Sequence, residues 1–196
     1  ANEYFVNRSD LFTISVLGRL CPQKCVDRAI QLASNLKQNG YKFQINIIGD
    51  GELRNELEQL SRELSVSDVV TFHGYIKNPY PLIKASDLLL SCSGFEGFSL
   101  SICEAMCLGV PVISTKTAGP TEIIGNNEYG ILCGHSDYDI FNAVKYAIEN
   151  RYALDKYSQN GLERVKIFSP NNCIEMIEKI CYPKIRKQSQ WQSQLQ

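Results

Sequence analysis

Apolar and polar positions along this chain switch repeatedly between two periods. Residues 11–17, Leu-Phe-Thr-Ile-Ser-Val-Leu, form a run of bulky and β-branched side chains that stops at Gly18, the pattern of a buried strand. From Lys24 to Lys37 the apolar positions Val26, Ile30, Ala33 and Leu36 recur at three- to four-residue spacing, and Asn39-Gly40 supplies a helix stop. The rhythm then repeats: a strand over 43–48, the turn Gly49-Asp50-Gly51, and a helix with Leu53, Leu57, Leu60 and Leu64 on one face. Shorter strands are predicted over 69–72, 87–91, 111–114 and 130–132. Helical segments are predicted over 80–85, after the Gly-containing turn that begins at Phe95, and over 121–124. Beyond Ser136 the strand pattern ceases, and helices are predicted over 138–149, 153–166 and 170–180.

Strands alternating with helices imply parallel pairing, because a parallel crossover needs a helix-length connection. The expected fold is α/β: a Rossmann-like, doubly wound parallel sheet of six strands with helices on both faces. A length of 196 residues suits one substantial domain, assigned to 1–183, followed by a polar tail over 184–196 in which Gln and Ser alternate around Trp191. The tail is expected to be a solvated end. The alternative is that Lys184, Arg186, Lys187 and Trp191 touch a membrane surface.

Composition narrows the function classes. Twenty basic and 21 acidic residues are mixed along the chain for a net charge of -1, so no field gathers a polyanion and nucleic acid is not an expected partner. No apolar run approaches the roughly 20 residues that span a bilayer, and no leader pattern opens the chain. The expectation is a cytoplasmic protein, with the inner face of the membrane as the further option. Most of the eight cysteines fall in apolar segments, as reduced thiols do. Cys21-x3-Cys25 and Cys103-x3-Cys107 lack the usual zinc-knuckle spacing, and there are only two histidines, His73 and His135, so no metal site is assigned.

In an open parallel sheet, ligands sit at the carboxyl ends of the strands. After the first strand, Gly18-Arg19-Leu20-Cys21-Pro22-Gln23-Lys24 flanks a short loop with two cations and suits an anion; the alternative is a solvated loop. It matches neither G-x4-G-K-[ST] nor G-x-G-x-x-G. The glycines around Asp50 permit either close ligand approach or a simple turn. His73 reads as a satisfied strand-end histidine before it reads as a base, and the backbone after Gly74 can present itself to a planar base edge.

The fourth loop holds Glu96 and Glu104. Ser101-x-x-Glu104 fits a capping box, which would make Glu104 structural and leave Glu96 a loop acid. Alternatively the amides of Gly97, Phe98, Ser99 and Leu100 at a helix entrance present donors to a phosphate. Two acids beside a phosphate are tolerable when each accepts hydrogen bonds from hydroxyl groups, which points to a nucleotide sugar.

The pattern resembles family 4 of the retaining glycosyltransferases, enzymes of the GT-B fold with two facing Rossmann-like domains. The match is carried by Gly18-Arg19-Leu20 with Lys24, Gly49-Asp50-Gly51-Glu52-Leu53, Phe72-His73-Gly74-Tyr75, Glu96-Gly97-Phe98-Ser99-Leu100, Glu104-Ala105 with Gly109-Val110-Pro111-Val112, and Gly119 with Glu122-Ile123-Ile124. It spans residues 11–132.

The resemblance implies a donor-binding, carboxyl-terminal half of such an enzyme. Arg19 and Lys24, beside Gly18, would hold the donor diphosphate; the backbone near Ile76, the base; residues 98–100, the distal phosphate; Glu104, the ribose; and Glu96, the transferred sugar. Catalytic roles fall to Glu96, Arg19 and Lys24. The donor is a nucleoside-diphosphate sugar, with no further cofactor and no metal. The acceptor is a glycan or lipid-linked glycan, presented by an amino-terminal domain that this chain lacks, so the isolated chain is expected to be inactive. Retention is usually explained by a front-face reaction in which the leaving phosphate takes the acceptor's proton. Asp137-Tyr138-Asp139 mimics a metal-binding D-x-D but lies beyond the last strand and is expected to start a surface helix. Cys25 stands where the family commonly has Gly, which crowds the phosphate loop. A non-catalytic nucleotide-binding or interaction module is the alternative function.

Overall fold

The computed structural model describes residues 11–169 together with Asn172 and Ile174. Its strands are β1 (Phe12–Leu17), β2 (Phe43–Ile48), β3 (Val70–Gly74), β4 (Leu88–Ser91), β5 (Val112–Thr115) and β6 (Ile131–Cys133). All the pairings are parallel and make one sheet in the order β3-β2-β1-β4-β5-β6. The helices are α1 (Asp27–Gln38), α2 (Arg54–Glu63), α3 (Tyr80–Lys84), α4 (Leu100–Cys107), α5 (Ala118–Ile124), α6 (Asp137–Glu149) and α7 (Arg151–Val165). The expected doubly wound α/β fold is the one observed.

The sheet is buried on both faces because its side chains alternate at period two. Phe12, Ile14 and Val16 of β1, with Leu88 and Leu90 of β4, pack with Ile30, Ala33 and Leu36 of α1 and Ile140, Val144 and Ala147 of α6. Leu89 of β4 and Val112 of β5 face the other way, onto Ile102, Ala105 and Met106 of α4 and Ile123 and Ile124 of α5. Each fully buried aliphatic side chain contributes about 1.5–3 kcal/mol relative to exposure. β1 sits at the centre, with Ile14 in register with Ile45 on one side and Leu88 on the other. Its polar Ser15 is buried on the second face and bonds Ser86 at 2.6 Å between hydroxyls.

Several boundaries differ from the sequence pattern. The first helix begins at Asp27, not Lys24, because Pro22–Lys24 forms a 3-10 turn and Cys25 adopts φ 47, ψ 48. That left-handed conformation explains why glycine is comfortable after Lys24, and Cys25 bears the strain of it. The capping box at Ser101 and Glu104 does not form. α4 starts at Leu100 with Ser99 at its N-cap and no side-chain cap bond, so Ser101 is already inside the helix and Glu104 is its fifth residue, too far along to reach back. A capping box forms instead at Ser136 and Asp139, where Asp137-Tyr138-Asp139 begins α6 as a surface helix. β3 runs on through His73 and Gly74, and α5 starts earlier than expected. A second 3-10 turn, Lys166–Phe168, follows α7. The six described cysteines are free thiols. The helix expected over 170–180, the tail with Lys184, Arg186, Lys187 and Trp191, and Cys173 and Cys181 lie outside the described residues. No described helix is long and apolar enough to cross a membrane.

Candidate functional site

Strand order reverses between β1 and β4, and at the carboxyl end of this switch point lies a cleft of about 590 Å³. One wall is the loop after β1, laid against the turn after β2 by main-chain bonds. Gly18 N–H donates to the Ile48 carbonyl and Leu20 N–H to the Asp50 carbonyl, both at 3.0 Å, and Leu53 N–H donates to the Leu20 carbonyl at 3.1 Å. This contact is why the turn needs its glycines: a Cβ on Gly49 would lie 1.9 Å from the Gly18 carbonyl oxygen, and one on Gly51 2.3 Å from that of Leu20. Asp50 serves the turn, accepting from Gly51 N–H at 2.8 Å and pairing with Arg54 at 3.2 Å. Arg19 leaves this wall into solvent, its Nε and Nη2 on the Glu52 carboxylate at 3.2 and 3.1 Å.

Lys24 rises from the 3-10 turn along the bare Cα of Gly18, where a Cβ would stand 3.4 Å from the lysine Cε. Its ammonium pairs with the Glu96 carboxylate, and the side chains keep only 23% and 11% of their exposure. Ser93 Oγ donates to the same carboxylate at 3.3 Å. The two charges therefore meet although 72 positions separate them in sequence.

The loop carrying Glu96 is fastened from two sides. Toward β1, Gly94 N–H donates to the Gln23 carbonyl at 2.9 Å and Gln23 Nε2 donates to the Phe95 carbonyl at 3.1 Å. Toward α5, Gly119 N–H donates to the Glu96 carbonyl at 3.0 Å, and a Cβ on Gly119 would fall 1.9 Å from the Gly97 oxygen. Below, Thr115 Oγ1 donates to the Ser93 carbonyl at 2.7 Å.

The far wall is the start of α4, where Phe98, Leu100 and Ser101 line the cleft. The first N–H groups of any helix lack intrahelical acceptors and carry the positive end of its dipole. Glu104, one turn further, shares this face and accepts from the Tyr80 hydroxyl at 3.4 Å. Tyr75, 79% exposed, stands with Ile76 and Pro79 at the outer rim.

The structure thus brings Gly18, Arg19, Lys24, Ile76, Glu96, Phe98, Leu100 and Glu104 to one cleft. Gly97 and Ser99 are not on its wall. Ser99 is buried with its hydroxyl 3.2 Å from that of Ser101, and Gly97 supports the cleft through its carbonyl contact with α5. His73 bonds Asn46 Oδ1 at 2.9 Å, as a satisfied strand histidine does. Burial pushes the Cys103 thiol of α4 up to about 11, so it is protonated and unreactive at neutral pH. Among the described residues no three His, Cys, Asp or Glu side chains cluster as metal ligands. Sequence reasoning missed Gln23, Glu52 as Arg19's partner, and the fastening role of Gly119. Gly119, two residues before the helix predicted over 121–124, was the one available signal.

A doubly wound sheet with its cleft at the switch point is an α/β domain built to bind a ligand across two strand ends. Residues 4–164 match the family model described as Glycosyl transferases group 1, and the chain belongs to that family. It is 29% identical over 161 residues to the Campylobacter jejuni N-acetylgalactosamine-N,N'-diacetylbacillosaminyl-diphospho-undecaprenol 4-alpha-N-acetylgalactosaminyltransferase, covering 81% of this chain and 43% of that protein. It is 34% identical over 116 residues to an uncharacterized glycosyltransferase of Methanocaldococcus jannaschii, covering 59% and 29%. The chain therefore spans less than half the length of these relatives. Among solved structures, a mutant of Staphylococcus aureus TarM in complex with Fondaparinux, alpha-GlcNAc-glycerol and UDP superposes with a TM-score of 0.78 at 22% identity, over 83% of this chain and 34% of TarM. Anabaena HepE in complex with UDP-glucose superposes with a TM-score of 0.73 at 24% identity, over 80% and 44%. At such identities the likeness establishes the fold.

Proposed function

We propose that this chain is the donor-binding part of a retaining glycosyltransferase that moves a sugar from a uridine-diphosphate sugar to a glycan or lipid-linked acceptor. The observation that carries the reading is the convergence of Arg19, Lys24, the start of α4 and two carboxylates on one switch-point cleft. The diphosphate lies between the two cations and the α4 amides; Glu104 takes the ribose hydroxyls; the backbone at Ile76, beside Tyr75, meets the base. Glu96 faces the transferred sugar. As the glycosidic bond breaks, negative charge grows on the diphosphate, where Arg19, Lys24 and the helix start stabilise it, and the leaving phosphate takes up the acceptor's proton. The acceptor is held by a further domain, and neither a metal nor a cofactor takes part. Uridine is favoured because TarM and HepE, which share the fold, are seen with UDP or UDP-glucose. A membrane-facing setting follows if the acceptor is lipid-linked, as the name of the Campylobacter relative indicates for that enzyme.

Calorimetric titration with UDP, GDP and ADP sugars tests the reading. Saturable binding of a UDP sugar that is weakened at least tenfold by Glu104→Ala is expected. Absence of saturable binding to any of them, or binding indifferent to Glu104→Ala, overturns it and leaves the interaction module as the better account.

A further inference from the structure

Both cations assigned to the diphosphate already have a carboxylate partner in the free protein. Arg19 is held by Glu52, with 72% and 49% of their side-chain surface exposed, and Lys24 by Glu96, with 23% and 11% exposed. A diphosphate that takes these cations has to displace both acids, and burial makes the two displacements unequal. Glu52 turns into water, which solvates it as well as Arg19 did, since an exposed ion pair is weak. Glu96 has no such exit. Without Lys24 it is a desolvated charge, with Ser93 Oγ at 3.3 Å as its remaining hydrogen-bond donor, and an unpaired buried carboxylate is costly. Sugar hydroxyls supply the missing donors; a bare nucleoside diphosphate does not.

We infer that Glu52 and Glu96 are internal counter-ions of the diphosphate cations, and that the Lys24–Glu96 exchange makes the cleft favour the intact sugar donor over the spent diphosphate. This rests on the donor-binding reading above and adds two things to it. Glu52 becomes a positioning residue that holds Arg19 at the rim and lowers affinity for donor and product alike. Glu96 becomes the group that ejects the product: once the sugar has left, the carboxylate recovers Lys24 and expels the diphosphate. No bond other than ion pairs and hydrogen bonds is exchanged.

The test compares the affinities of UDP and UDP-glucose, with UDP-galactose and UDP-N-acetylglucosamine as replacements if they bind tighter. They are measured on the wild-type chain, Glu52→Gln, Glu96→Gln, Lys24→Met and the double variant Lys24→Met/Glu96→Gln. Glu52→Gln is expected to strengthen UDP and UDP-glucose by the same factor of about 2–3, an effect that fades at high salt. Glu96→Gln is expected to strengthen UDP and not UDP-glucose, shifting their affinity ratio about tenfold toward UDP, and the gain in UDP affinity disappears in the Lys24→Met background. Should Glu96→Gln fold poorly by melting, Glu96→Asp, which lengthens the pair and keeps the charge, gives the same direction at smaller size. A Glu96→Gln that shifts both ligands equally, or a UDP gain that survives without Lys24, overturns the exchange. A Glu52→Gln without effect at low salt overturns the role of Glu52. Either of these failures occurs in a chain that still binds UDP sugars, whereas a wild-type chain that binds none refutes the donor-binding reading itself.

Discussion

The wall of the cleft after β1 and β2 is held by main-chain bonds between two loops, whereas the loop after β4 adds side-chain fastenings, from Gln23 and Thr115, to its main-chain bonds with Gln23 and with Gly119 of a neighbouring helix. The first wall presents its cation, Arg19, to open solvent. The second keeps its acid, Glu96, 11% exposed and paired. A charge in water is cheap to move and contributes about 0–1 kcal/mol. A charge held in a half-buried pair is costly to strand. In the donor-binding reading proposed above, the rim of the site adjusts affinity while its interior decides what is bound.

The largest expected effect comes from breaking the second wall. Gly119→Val forces the Glu96 loop away from α5, because even a Cβ falls 1.9 Å from the Gly97 oxygen. UDP-sugar affinity is expected to fall by at least about 100-fold, with a loss of about 1–3 kcal/mol in stability from overpacking, read by calorimetry and thermal melting. Lys24→Met comes next. It removes the interior cation and strands Glu96, and an affinity loss of about 30-fold is expected. Arg19→Ala acts on the exposed rim, and about a threefold to tenfold loss that shrinks with added salt is expected. Equal losses for Lys24→Met and Arg19→Ala at high salt contradict the contrast between the walls.

The smallest perturbation sharpens the same contrast within α4. Cys107 is exposed, while burial pushes Cys103 up to about 11, as it does Cys133 of β6. A raised thiol pKa leaves little thiolate until the pH nears that value. Iodoacetamide at pH 8 is therefore expected to label Cys107 before Cys103 and Cys133, which gain reactivity only as pH rises toward 11, read by mass spectrometry.

Much of this architecture was legible in the chain because it is periodic. The buried strands announce themselves at Phe12, Ile14 and Val16, and α1 at Ile30, Ala33 and Leu36, since both faces of the sheet must be covered. What failed was local and competitive. Ser101-x-x-Glu104 has the letters of a capping box, yet Ser99, two residues earlier, takes the N-cap, and Ser101 is already inside the helix. Lys24 looked helical until Pro22 and the left-handed Cys25 made it the end of a turn. The candidate site residues were recognisable as a motif, but their partners were not. Gln23 reaches Phe95 and Arg19 reaches Glu52 across 72 and 33 positions, and no periodicity encodes such tertiary contacts.

The most direct test of the central claim follows backbone amides by nitrogen-15 NMR while UDP is added. The largest shifts are expected in two places that only the fold brings together, residues 18–24 after β1 and residues 98–102 at the start of α4, with smaller shifts at Tyr75 and Ile76. Shifts concentrated instead at a separate cleft lined by Tyr146, Tyr157 and Asn160, with residues 18–24 unmoved, would contradict it.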